Sequence, residues 1–226
     1  TEVHLRLSPI PESIMSAVCH FPSLEDAVMT AQQVIQYGVP IARIEMLNAD
    51  QMGISINYSK LKDIEAVPTL FFEFHGSESS NKENINIVEE LSKENNGSSF
   101  KWAKDLEDRN KLWQARWDVY YSVKALNDNG RVYSTDVCVP ISKITECVKF
   151  AEEKAKELGV RAPMVGHMGD GNFHVVLPYD PTKKEMYKQL RAFNGTLIRK
   201  ALELEGTITG EPVSYTHLTL PTSVPV

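Results

Sequence analysis

At 226 residues the sequence is long enough for one large or two small domains, each with a core of its own. Its 42% hydrophobic and 24% charged residues are those of an ordinary globular protein. A net charge of −6, with the two signs intermixed, argues against a nucleic acid or an anionic membrane as partner, since either calls for a basic face.

No apolar run approaches the roughly 20 residues that span a bilayer. The start, Thr1-Glu2-Val3-His4-Leu5, has neither the hydrophobic stretch of a signal peptide nor the Arg-rich amphipathic stretch of a transit peptide. It reads as a chain cut in its middle. Cys19, Cys138 and Cys147 are odd in number and form no C-x-x-C pair, so buried free thiols are expected rather than a redox device.

In chain order, Met15–Phe21 reads as a strand, and Ser23 followed by Asp26 as the cap of a helix over Ala27–Tyr37, closed by Gly38. Ile41–Leu47 is the next strand, and Asn48 caps a short helix to about Tyr58. Thr69–His75, nearly all apolar or aromatic, reads as a central strand. Glu83–Glu94 is a helix ended by Asn95-Asn96-Gly97. Leu106, Leu112, Trp113, Trp117 and Tyr120 recur at helical spacing and predict one long helix over Asp105–Asn127. Arg131–Pro140 alternates as a strand, Ser142–Leu158 is a helix stopped by Gly159, and Met164–Met168 and Phe173–Leu177 are strands. Lys184–Leu204 is the last helix, ended by Gly206. The fold class that follows is α+β, an antiparallel or mixed sheet with helices on one face, and the strand–helix rhythm suits a duplicated ferredoxin-like plan.

The C-terminal stretch fits none of these elements. Val213–Thr222 reads as one frame of a transposon-type sequencing adapter, so residues 1–211 are expected to form the domain and 212–226 a non-native tail. His217 is then no ligand. The other reading of this Thr-rich stretch is an edge strand.

The densest chemistry lies in Gly166-His167-Met168-Gly169-Asp170-Gly171-Asn172-Phe173-His174. Asp-Gly between apolar runs predicts a two-residue hairpin turn, because such turns need positive φ at their centre. Centring the turn on Asp170-Gly171 sets His167 opposite His174 on one face. Two imidazoles so placed suit a divalent ion, or are simply solvated residues beside a turn. Glu211, in the Gly-flanked Gly206–Glu211 loop, supplies a third oxygen donor or is a plain loop acid; two His and one Glu would leave coordination positions open for substrate. Arg116 sits among Leu112, Trp113 and Trp117. Its fork either stacks on the aromatics or receives a substrate carboxylate.

With these stretches in place, the chain resembles the C-terminal domain of FAD-linked oxidases of the vanillyl-alcohol-oxidase type, in the branch of flavin-dependent D-2-hydroxy-acid dehydrogenases. Further matching segments are Leu5–Pro9, Ala42–Glu45, Ala66–Ser77, Trp102–Lys104, Leu112–Arg116 and Tyr133–Ser142, so the likeness runs from about Leu5 to Glu211. The resemblance implies that His167, His174 and Glu211 bind zinc or manganese, that Arg116 pairs with the substrate carboxylate, and that FAD is held mainly by an upstream domain. It implies oxidation of D-lactate to pyruvate, electrons leaving to an acceptor such as cytochrome c, and a mitochondrial location. The family's base, a His directly after the ligand Glu, is absent: that position is Pro212. No catalytic residue is therefore expected in this chain, which would be inactive alone. Relatives acting on 2-hydroxyglutarate carry a Lys in the strand of Ser134, so the neutral Ser134 favours a small monocarboxylate. The rival readings are a D-2-hydroxyglutarate or glycolate dehydrogenase, a flavin-free metal hydrolase, and a non-catalytic binding module.

Overall fold

A strand with apolar side chains at every second position needs a layer to cover that face, and here both faces are covered. The computed structural model describes residues 2–208 apart from 3, 6, 8, 63 and 127–130. The chain runs β1 (Ser13–His20), α1 (Leu24–Gln36), β2 (Arg43–Leu47), α2 (Ala49–Ser59), β3 (Thr69–Gly76), α3 (Glu78–Glu94) and β4 (Ser98–Ala103). It continues through α4 (Leu106–Trp117), α5 (Val119–Lys124), β5 (Arg131–Ser134), β6 (Val137–Cys138), α6 (Ile144–Glu157), β7 (Met164–His167), β8 (Asn172–Tyr179) and α7 (Lys184–Glu203).

The strands form one eight-stranded sheet in the order β4-β1-β3-β2-β7-β8-β5, with β6 also paired to β8. All the pairings are antiparallel. The order β4-β1-β3-β2 is that of a ferredoxin-like unit. A second such unit follows: β8 lies between β7 and the β5–β6 line, and Thr207 bridges the far side of Cys138. The duplicated plan expected from the strand–helix rhythm is thus present. The two units join edge to edge through β2 and β7, where Glu45 pairs with His167 and Leu47 with Val165.

On one face Met15, Ala17, Ile44, Met46, Phe72, Phe74, Phe173 and Val175 pack with α1, α3, α6 and α7. Phe72 and Phe74 are fully buried there, and burying each contributes about 1.5–3 kcal/mol. On the other face Val18, Leu47, Phe71, Val165 and Val176 pack against α2, α4 and α5. The helices of the repeat, α1, α3, α6 and α7, share one face, as expected from the sequence; α2, inserted between β2 and β3, and α4 and α5 close the second.

Capping at Ser23 and Asn48 is as the sequence indicates. Ser23 Oγ accepts from the Asp26 amide at 3.0 Å. Asn48 Oδ1 accepts from the amides of Gln51 (3.0 Å) and Met164 (2.9 Å), while its Nδ2 donates to the Ala162 carbonyl (3.0 Å). The same side chain therefore starts α2 and ties the beginning of β7 to the end of β2.

Three elements differ from expectation. β4 was not foreseen, because Ser98–Ala103 is an edge strand with mostly exposed residues and no apolar alternation. The helix expected over Asp105–Asn127 breaks at Asp118 into α4 and α5, Asn127 itself lying outside the described residues. Asp118 accepts hydrogen bonds there from Gln114 Nε2 (2.7 Å) and from the Ser59 hydroxyl. The strand expected over Arg131–Pro140 divides into β5 and β6, although the register is continuous: Ser134 lies opposite Val176 and Val137 opposite Phe173. At Thr135 the side-chain oxygen takes the Val175 amide (2.9 Å), while the carbonyl accepts from His174. That exchange interrupts the ladder.

Candidate active site on the second sheet face

β7 and β8 form the hairpin that carries both histidines. The two-residue turn expected at Asp170-Gly171 is instead a four-residue connection, Met168 to Gly171, whose first three residues make a 3₁₀ turn. His167 consequently pairs with Asn172, and His174 with Val165. The register expected from the sequence is off by two residues. Because side chains alternate with period two, that shift leaves the face unchanged, and the two imidazoles lie with ring centroids 5.6 Å apart, edge to face. Gly171 closes the turn at φ 72°, and a Cβ there would collide with the Val139 carbonyl. Glycine is needed on both counts.

Each ring has an identified partner at Nδ1. His167 Nδ1 lies 2.8 Å from Glu45 Oε1, directly across the β2–β7 pairing. His174 Nδ1 lies 3.0 Å from the Thr135 carbonyl oxygen and 3.6 Å from Asp136 Oδ1. Both partners accept only, so each Nδ1 carries the proton and Nε2 is the nitrogen suited to a metal. A carboxylate or carbonyl behind Nδ1 is the arrangement that orients metal-binding histidines. The pair fits a divalent ion in this respect, but among the described residues no group of three or more His, Cys, Asp or Glu is assembled to hold one. Glu211, Pro212 and His217 lie outside the described residues.

Glu45 was missed by the sequence reading, which assigned it no role. It is 6% exposed on β2, and its second oxygen accepts from Arg116 Nε (3.0 Å) and forms an ion pair with Nη2 (3.0 Å). Burial pushes this carboxyl up. The His167 hydrogen bond and the Arg116 charge outweigh burial and hold it below the usual glutamate range. Arg116 therefore reaches the site from α4, and the guanidinium stacked over Trp113, 4.7 Å from the ring centroid, belongs to Arg43. Arg43 Nη2 also donates to Glu73 Oε2 (2.7 Å), and Glu73 Oε1 lies 2.8 Å from His75 Nε2. This second network packs Trp113 against the sheet three residues before Arg116, which helps fix α4. Ser134, opposite Val176, presents its side chain to the same sheet face as His174. The hint of Glu45 in the sequence was a carboxylate in a mostly apolar strand that also carries Arg43.

The fold defines the class first. A solved 4-ethylphenol oxidase from Gulosibacter chungangensis superposes with a TM-score of 0.63 at 13% identity, covering 89% of this chain and 46% of that one. The shared architecture is thus found in a larger oxidase. The family model "FAD linked oxidases, C-terminal domain" matches residues 10–211, and the chain belongs to that family. It is 42% identical over 211 residues to a probable mitochondrial D-lactate dehydrogenase of Danio rerio, covering 93% of this chain and 42% of the relative. It is 33% identical to a mitochondrial D-lactate dehydrogenase (cytochrome) of Arabidopsis thaliana, covering 93% of this chain and 37% of that protein. The chain therefore spans about two fifths of the length of these curated relatives.

Proposed function

We propose that this chain is the substrate- and metal-binding part of a mitochondrial, FAD-dependent D-2-hydroxy-acid dehydrogenase that oxidises D-lactate to pyruvate and passes the electrons to an acceptor such as cytochrome c. The observation that carries the reading is the convergence of Arg116, His167 and His174 on one sheet face of a chain related to proteins of that name.

Arg116 binds the substrate carboxylate. Its Nε and Nη2 face Glu45, and its remaining N–H groups supply the second edge of the fork. His167, His174 and Glu211 hold the metal. Thr207 exchanges backbone hydrogen bonds with Cys138 (2.9 and 2.7 Å), beside β8. Glu211 follows Ile208 by three residues, a span of at most about 10 Å, which supports its reaching the hairpin. A divalent ion, zinc or manganese, supplies Lewis acidity toward the substrate hydroxyl when bound. FAD, held mainly by the remainder of such a protein, supplies the acceptor for the hydride of C2. Ser134 adds no charge of its own to the site and thereby favours a monocarboxylate over a dicarboxylate. The proton acceptor of the family corresponds to Pro212, which has no titratable group, so this chain does not perform the proton transfer.

The test compares this chain with a protein in which residues 1–211 follow a flavin-binding portion and the residue after Glu211 is His. D-Lactate should reduce the flavin of the longer protein in preference to glycolate and D-2-hydroxyglutarate. The chain alone, with free FAD and a dye acceptor, should show no turnover. Dye reduction by the chain alone, or a preference for 2-hydroxyglutarate, would overturn the reading.

A further inference from the structure

We infer that Glu45 is a positioning residue that locks the metal-binding and carboxylate-binding halves of the site to one another. The inference deepens the function proposed above, in that it takes His167 as a ligand and Arg116 as the carboxylate anchor, but its geometry stands on residues of this chain alone.

Glu45 lies at the seam where the two ferredoxin-like units join, paired in register with His167. Its side chain is 8% exposed, so water has little access to it. One oxygen accepts from His167 Nδ1 (2.8 Å), and the other accepts from Arg116 Nε (3.0 Å) and pairs with the charge of its Nη2 (3.0 Å). An ionised carboxylate accepts and never donates, so it fixes the His167 tautomer with hydrogen on Nδ1 and directs Nε2 away from the seam. The same carboxylate pins the Nε edge of Arg116 and orients the rest of the fork. β7 and α4, distant in sequence, are thereby held at one distance from one another. A glutamine in this place has a single accepting oxygen. Its amide hydrogens oppose either the Arg116 N–H groups or the His167 Nδ1–H, so it cannot serve both partners. An aspartate is one methylene short of spanning them.

The experiment uses the 226-residue chain, ¹⁵N-labelled, as wild type and as Glu45→Gln, with zinc alone as the probe. Three signals are read: zinc affinity by competition with a chromophoric chelator, the ¹⁵N shift of His167 Nδ1, and hydrogen-exchange protection of the Arg116 Nε–H. In the wild type, metal-free, His167 Nδ1 should be protonated and the Arg116 Nε–H protected. In Glu45→Gln either the Arg116 protection or the fixed His167 tautomer should be lost, and where the histidine loses its acceptor zinc should bind about 10- to 100-fold more weakly, the usual loss when the partner behind a metal-binding histidine is removed. Zinc affinity within two-fold of wild type, roughly the scatter of such measurements against that expected loss, together with retained protection, overturns the inference. So does an unprotonated His167 Nδ1 in the wild type, a result that needs no variant to fold. The two readings fail separately. A wild type that takes up no zinc yet holds both N–H groups supports the clamp and sinks the metal site. Normal zinc binding with an indifferent Gln variant sinks the clamp.

Discussion

Arg116→Met should destabilise the chain through the partner it leaves behind. The Glu45 side chain is 8% exposed and that of Arg116 20%, so the pair is largely withdrawn from water on the carboxylate side. Removing one member of a buried pair costs about 3–5 kcal/mol, because the other charge stays buried. Here His167 still donates to Glu45, and the guanidinium is not fully buried, so about 2–3 kcal/mol is the better expectation. With a urea m-value of roughly 2–3 kcal/mol/M, the unfolding midpoint should fall by about 1 M. Glu45→Gln should cost less, about 1–2 kcal/mol, since the released guanidinium can turn its exposed edge to solvent. The two changes touch the same contact and should not add. The double variant should be destabilised by about 1–2 kcal/mol less than the sum of the singles. Urea unfolding followed by far-UV circular dichroism on the four proteins of the cycle measures this. A coupling below about 0.5 kcal/mol, the usual tolerance for independent sites, would show that the ion pair is not formed in solution.

Gly171→Ala should lower the melting temperature by at least about 3–4 °C, since a left-handed alanine costs about 1–2 kcal/mol before the collision with the Val139 carbonyl is counted; an unchanged melt would mean that the turn is not built as described. The thiols should separate by burial. Burial pushes the Cys19 thiol up to about 11 and the Cys147 thiol up to about 12, while Cys138 is raised less and is only part-buried. Because the thiolate is the reactive form, a disulfide reagent at pH 8 should modify Cys138 first and the other two only on unfolding. A single phase for all three in the native chain would contradict the buried positions.

The parts of the fold legible in the sequence were those set by local physics. Ser23 and Asn48 caps, the apolar run of β3 and the glycine stops each follow from contacts within a few residues, and they stand where the sequence put them. The failures share a cause in longer-range structure. The apolar spacing of α4 continues into α5, so nothing in the periodicity marks Asp118. The break is fixed by Ser59, distant in the chain, together with Gln114. β4 owes its strand state to pairing with β1, and its own residues alternate too weakly to reveal it. The second helical layer was invisible for a similar reason. Whether α2, α4 and α5 lie on the same side of the sheet as the repeat helices depends on strand pairing that no window of sequence contains.

The candidate site was legible to the same extent and for the same reason. His167 and His174 share a hairpin, so their common face follows from alternation and survives a two-residue error in register. A one-residue error would have put them on opposite faces, and the 3₁₀ turn at Met168–Asp170 is what made the difference even rather than odd. Arg116 was identifiable as a fork among aromatics, but not its partner. Glu45 becomes part of the site only because β2 and β7, the outer strands of two repeats, meet at the seam. A carboxylate on an edge strand of a single ferredoxin-like unit would be exposed and unremarked. Joining two such edges buries it between a histidine of the second repeat and an arginine of the helix between the repeats. Duplication of the fold thus creates the low-dielectric position in which one carboxylate can bind both. Within either unit alone the same residue would face water, and an exposed pair of this kind contributes at most about 1 kcal/mol.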